Sequence, residues 1–127
     1  RDSSTSRGLG DVYKRQQIQG GFASIGRDLK LRLWRDGASE VFDTPHSHSI
    51  KCIAISRDRS MIATGSYGGT VAVFDLKKRV WASVEKPTAS GISCLIHDAS
   101  GEGFLASAYD GRIYPITPPA AVQSARP

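Results

Sequence analysis

Three small groups of residues in this 127-residue chain have the side-chain types that can do chemistry. His46-Ser47-His48 sets two imidazoles two residues apart, and on a strand both would face one side and could begin a metal site. A zinc site needs three or four converging ligands, and no third lies nearby. His46 is therefore expected to be a structural histidine and His48 a loop residue. His97-Asp98, with Ser100, has the residue types of a nucleophile and base. Adjacent strand residues point to opposite faces, so this group is not expected to be catalytic. Cys52 and Cys94 lie 42 residues apart, a spacing that recurs along the chain. On neighbouring sheets packed about 10 Å apart they would exceed the roughly 7 Å Cα limit of a disulfide, and two buried thiols are expected. Unbridged cysteines fit a reducing compartment, cytoplasmic or nuclear. The sequence thus offers no catalytic set, no metal site and no cofactor site.

What would position such residues is a single modest domain. Hydrophobic residues make up 39% of the chain, and 13 Gly with 6 Pro punctuate it without collagen-like or low-complexity regularity. No apolar run approaches the roughly 18 residues of a membrane-spanning helix, and no membrane association is expected. Residues 1–16, RDSSTSRGLGDVYKRQ, are polar and lack strand or helix periodicity, so they are expected to be a non-native or disordered leader. The formal net charge is +5. Beyond the leader the cations Arg27, Lys30, Arg32 and Arg35 are scattered, and Lys77-Lys78-Arg79 forms the one short run. That run reads as a solvated turn, and nucleic-acid binding is disfavoured because a phosphate-tracking surface requires clustered cations.

An internal repeat decides the architecture. Ile50-Lys51-Cys52-Ile53-Ala54-Ile55 aligns with Ile92-Ser93-Cys94-Leu95-Ile96-His97, and at the same offset Ile62 to Val71 aligns with Phe104 to Ile113. A further copy runs from Phe22 to Trp34, matching Ile62 to Phe74. In the middle copy the apolar runs Ile50 to Ser56, Met61 to Ser66, Thr70 to Asp75 and Val80 to Val84 are separated by turn signals at Arg57-Asp58-Arg59, Tyr67-Gly68-Gly69 and Leu76-Lys77-Lys78. Asp58 with Ser56 and Ser60 reads as turn chemistry, and Trp34 and Trp81 as packing residues. The fold class is therefore all-β, a partial β-propeller of four-stranded antiparallel blades.

The run Ile62-Ala63-Thr64-Gly65-Ser66-Tyr67-Gly68-Gly69-Thr70-Val71-Ala72-Val73-Phe74-Asp75 resembles the signature of the WD-repeat β-propeller family, as do Asp28 to Trp34 and Ala108 to Ile113. The resemblance implies a partial blade over 17–44, a complete blade over 45–85, a partial blade over 86–117 and a disordered tail over 118–127. It also implies a C-terminal fragment of about two and a half blades, the remaining blades lying outside this chain. Members of the family carry a buried His, Ser/Thr, Asp and Trp tetrad in each blade. Here it is represented by Ser24, Asp28 and Trp34 in the first copy, His46 and Thr64 in the second, and Asp110 in the third. Gly68 and Phe74 replace the Asp and Trp of the middle copy. In the last, Thr88, Ala106 and Ile116 stand at the other places.

The hairpin position before the tetrad Asp holds Arg27, Tyr67 and Tyr109 in successive copies, and His48 and Ser90 hold equivalent places in the preceding loop. Arg and Tyr are enriched at interface hot spots. These five residues are the expected partner-binding rim of a non-enzymatic scaffold for a protein or peptide. The alternatives are a propeller-fold enzyme and a nucleic-acid-associated propeller subunit.

Overall fold

The computed structural model describes residues 12–18, 20–26, 28–99 and 103–117, with main chain only for 12–15 and 17. Within them the chain forms eleven strands: β1 (Val12–Ile18), β2 (Gly21–Gly26), β3 (Lys30–Arg35), β4 (Ala38–Asp43), β5 (Ile50–Ile55), β6 (Met61–Ser66), β7 (Val71–Asp75), β8 (Val80–Glu85), β9 (Ile92–His97), β10 (Phe104–Ala108) and β11 (Ile113–Ile116). They assemble into three antiparallel sheets in simple sequence order, β1 to β4, β5 to β8 and β9 to β11. The fold class read from the sequence is the one observed.

The first sheet corrects one expectation. Residues 12–16 do not belong to an unfolded leader: β1 pairs with β2 from Val12 opposite Gly26 to Ile18 opposite Gly21, with a bulge between Val12 and Lys14. The first copy therefore has four strands, where the sequence implied only a partial blade over 17–44. Ladder hydrogen bonds are made by the main chain, so a polar run can complete a sheet whose neighbouring strand offers an unpaired edge. Residues 1–11 and 118–127 lie outside the described residues.

Two apolar layers join the sheets. Between the first and second lie Ile18, Ala23, Ile25, Leu31 and Leu33, packed on Ile50, Ile53, Ile62, Phe74 and Leu76. Between the second and third, Cys52, Ala54, Ala63, Val71 and Val73 meet Ile92, Leu95, Phe104, Ala106 and Ile116. β5 packs beside both β1 and β9, so the leading strands of the three sheets are neighbours. Every residue of β6 and β7 is buried, which explains their near-continuous apolar sequence: both faces of that sheet are covered. Phe74 lies against Phe42 of the first sheet at 4.9 Å between ring centroids and edge-on to Trp81 at 5.0 Å. Trp81 also donates its indole N–H to the Asp43 carbonyl at 2.8 Å, fastening β8 to the end of β4.

Candidate functional site

Two hairpin turns and one connecting loop build the rim that the sequence singled out. The β6–β7 turn is closed by Ser66 and Thr70, whose N–H and C=O lie 2.9 Å apart, and the Ser66 hydroxyl accepts the N–H groups of Gly68 and Thr70. The β10–β11 turn is closed likewise by Ala108 and Arg112 at 3.1 Å, and Asp110 Oδ1 accepts the Arg112 N–H at 2.9 Å. Each turn is tied back to the loop before its own sheet. Tyr67 donates its N–H to the Ser49 carbonyl at 2.8 Å, and Tyr109 donates to the Gly91 carbonyl at 2.9 Å. The two phenol rings are thereby held at the same height on adjacent sheets.

Gly91 lets the rings meet. A Cβ there would lie 2.7 Å from the Tyr67 carbonyl oxygen, 3.1 Å from Tyr67 Cδ1 and 3.2 Å from Tyr109 Cδ2. In the space that remains, the rings stand 6.2 Å apart, tilted by 60°. They line an open groove of about 380 Å³ together with Ala89, Ser90 and Gly91. Both tyrosines are exposed, at 57% and 65%, and present amphipathic rings of the kind enriched at interfaces. The Lys51 ammonium stands 5.8 Å from the centre of the Tyr67 ring, within cation–π range.

The structure therefore brings Tyr67, Tyr109 and Ser90 into one groove. His48 flanks it: its ring occupies the space over Gly68, where a Cβ would come within 2.5 Å of Nδ1. Arg27 lies outside the described residues. Lys51, Ala89 and Gly91 were missed by sequence reasoning. The 42-residue offset could have found Gly91, since it aligns with Ser49 in the loop that anchors the preceding turn.

The tetrad positions form pairs in place of full networks. In the first sheet the Trp34 indole N–H donates to Ser24 Oγ at 2.9 Å, but Asp28 is drawn away to an ion pair with Arg32 at 2.7 Å, which holds its carboxyl below the usual carboxylate range. In the middle sheet His46 Nε2 and Thr64 Oγ1 are 2.7 Å apart, both buried. Burial pushes the His46 imidazole down to about 4, against the raising effect of the Thr64 main chain beside it. Its Nδ1 is buried without a hydrogen-bond partner among the described residues, as suits a neutral ring whose second nitrogen is an unprotonated lone pair. In the third sheet Asp110 accepts from the Tyr114 hydroxyl at 2.6 Å and from Thr88 Oγ1 at 2.8 Å. The Tyr114 bond, followed by the Arg112 N–H, holds the Asp110 carboxyl below its ordinary range.

His46 and His48 do not share a ligand position: one is buried on Thr64 and the other is exposed over Gly68. Among the described residues no three His, Cys, Asp or Glu side chains are grouped to hold a metal. Cys52 and Cys94 are unbridged, but the expectation of two buried thiols is corrected, because Cys94 is exposed. Its side of β9 has no sheet packed over it among the described residues, whereas β9 itself covers the equivalent side of β5. No helix is long and apolar enough to cross a membrane among the described residues.

Comparison with known proteins agrees with this geometry. Residues 40–75 match the family model of the WD domain, G-beta repeat. The chain carries a WD repeat. The matched segment runs from β4 through β7, so one WD repeat takes the last strand of one sheet and the first three of the next. Over 112 residues the chain is 25% identical to the meiotic recombination protein rec14 of Schizosaccharomyces pombe (strain 972 / ATCC 24843), covering 81% of this chain and 36% of that protein. The chain thus spans about a third of the length of this relative. Its fold is similar to the crystal structure of the computationally designed Ika4 protein, with a TM-score of 0.68 at 19% identity over 84% of this chain and 66% of the other. At that identity the likeness concerns the fold alone.

Proposed function

We propose that this chain serves as a non-enzymatic scaffold whose WD-repeat sheets present one rim to a protein or peptide partner inside the cell. The observation that carries the reading is the exposed Tyr67–Tyr109 pair, fastened over Gly91 by main-chain hydrogen bonds to the adjoining loops. The turns are fixed before binding, so little ordering entropy is lost when a partner docks. Two phenol rings with Ser90 and His48 beside them offer apolar area together with hydrogen-bonding groups, the usual composition of an interface anchor. Two unbridged cysteines support a reducing cytoplasmic or nuclear compartment, and the meiotic recombination relative fits the nuclear one.

Panning a random peptide library against the folded chain tests this reading. Selected peptides are expected to lose about 2 kcal/mol, roughly 30-fold in affinity, on the Tyr67→Ala/Tyr109→Ala variant. Equal binding to the variant, or failure to select any peptide, overturns the assignment of the rim.

A further inference from the structure

The joints between the sheets follow one rule. At the first joint Ala23 and Leu31 of the first sheet pack on Ile62 and Phe74 of the second. At the second joint the repeat equivalents take the same parts, Ala63 and Val71 packing on Phe104 and Ile116. Each sheet thus has a forward face that seats the next sheet and a backward face that is seated. Strand alternation turns the third sheet's Leu105 and Ile113, equivalents of Ala63 and Val71, away from the second sheet. It likewise turns Phe22 and Trp34, equivalents of Ile62 and Phe74, to the outer side of the first sheet. We propose that these two outer faces are the halves of one docking surface, on which the third sheet seats the first sheet of a second copy of this chain, head to tail.

Burial marks both faces as unfinished. Ile62, Phe74, Phe104 and Ile116 are fully buried at their joints. Phe22 and Trp34 hold the same places but are only half-buried, although their rings stack at 5.9 Å and the Trp34 indole is bonded to Ser24. On the forward side Cys52 and Val71 are buried, while their equivalents Cys94 and Ile113 are exposed, with Ile96 and Pro115 beside them. Grouped apolar side chains of this kind mark an interaction surface. The first and third sheets share no apolar layer among the described residues, so the chain does not cover one face with the other.

The occupant follows from continuity with the joints already formed. A sheet seated on the third must carry the backward-face pattern, and of the three described sheets the first is the one whose backward face no other sheet of this chain covers. Arg32 lies on that face opposite Ser24 and is paired with Asp28 at 2.7 Å, so it brings no unmatched charge to the joint. Face-to-face packing is favoured over strand addition at β11. Arg112 turns its carbonyl to Ala108, and alternation then leaves Pro115 on the open edge, where it has no N–H to donate. A contact between unlike faces is heterologous, and repeated from copy to copy it closes a ring or extends a series.

Sedimentation of the folded chain over a dilution series tests the docking, with association expected as concentration rises. Ile113→Lys, at an exposed position on the forward face, should weaken association about 10-fold or more, and Ile96→Lys serves if that variant fails to fold. Val80→Lys, on an exposed position of β8, should leave it unchanged. The Ile113→Lys copy keeps its backward face, so a tagged form should still capture the native chain, which a contact of third sheet with third sheet does not allow. Cys94 should react with maleimide as an open thiol in dilute chain and about 10-fold more slowly in concentrated chain. A monomer at every concentration, association undiminished by the Lys variants, no capture by the tagged copy, or Cys94 reactivity independent of concentration overturns the proposal.

Discussion

The second and third sheets share a sequence pattern at an offset of 42 residues, yet their environments diverge. In β6 and β7 every residue is buried, while in the third sheet Ile96 and Ile113 are 55% and 67% exposed. Phe104, Ala106 and Ile116 on its other side are buried against the second sheet. The lesson is that the repeat encodes strands and turns, but the burial of any residue is decided by the neighbour that covers it. Equivalent positions are therefore matched pairs, and substituting both members reads out the neighbour's contribution.

The largest effect is expected at the turn glycines. Gly69 and Gly111 occupy the same turn position with φ of +93° and +83°, so alanine is strained at both by about 1–2 kcal/mol. At Gly111 an added Cβ meets nothing within 4 Å, whereas at Gly69 it would lie 2.0 Å from the Thr88 carbonyl oxygen and 2.8 Å from that of Ser90. Both obstacles are main chain, so the loop beneath the tyrosine groove must move. Overpacking adds about 1–3 kcal/mol, so urea unfolding should show Gly69→Ala costing about 2–5 kcal/mol in all and Gly111→Ala only the strain. Equal losses would mean that the third sheet does not press on the second as described.

The next effect separates the buried His46–Thr64 pair from the open Asp110 cluster. The His46 imidazole titrates near 4 when folded, against 6.5 for the unfolded residue, so the unfolded chain binds the proton more readily. The stabilisation it contributes is full above about pH 6.5 and disappears as pH falls toward about 4, at most about 3 kcal/mol. The carboxylates held low, Asp28, Asp58 and Asp110, act in the same direction but at lower pH. Stability measured by urea unfolding between pH 7 and pH 4 should fall in the native chain, and His46→Gln should flatten that slope while Asp110→Asn leaves it unchanged. A slope surviving His46→Gln would place the titrating group elsewhere.

Much of this was legible in the sequence because turns and apolar runs act locally. Tyr67-Gly68-Gly69 and Asp110-Gly111 mark hairpins by their own chemistry, and the observed strands of the middle copy begin and end within a residue of the expected runs. β1 was not legible, since Lys14, Arg15, Gln16 and Gln17 have no apolar alternation and enter the sheet through main-chain pairing. The tyrosine groove was half legible. The repeat named Tyr67, Tyr109, Ser90 and His48, but the closeness of the rings depends on Gly91, whose missing side chain has meaning only once two sheets are side by side. Nor could Asp28 be read correctly from alignment alone, because Arg32, on the next strand, captures it.

The smallest effect is chemical and carries no stability cost. Cys52 and Cys94 are the same position in two copies, and both are unbridged. Cys52 is 6% exposed beneath the third sheet, with its thiol directed toward the Gly65 carbonyl at 3.8 Å, whereas Cys94 is exposed. Thiol reaction requires an accessible thiolate, so a maleimide reagent should modify Cys94 in the native chain within its ordinary reaction time. Cys52 should react only as fast as the second and third sheets separate, and denaturant should make the two rates equal. Rapid native labelling at Cys52 would show that the third sheet opens from the second far more readily than their shared apolar layer requires. Protection of Cys94 would show that something already covers the outer side of β9, as β9 covers the equivalent side of β5.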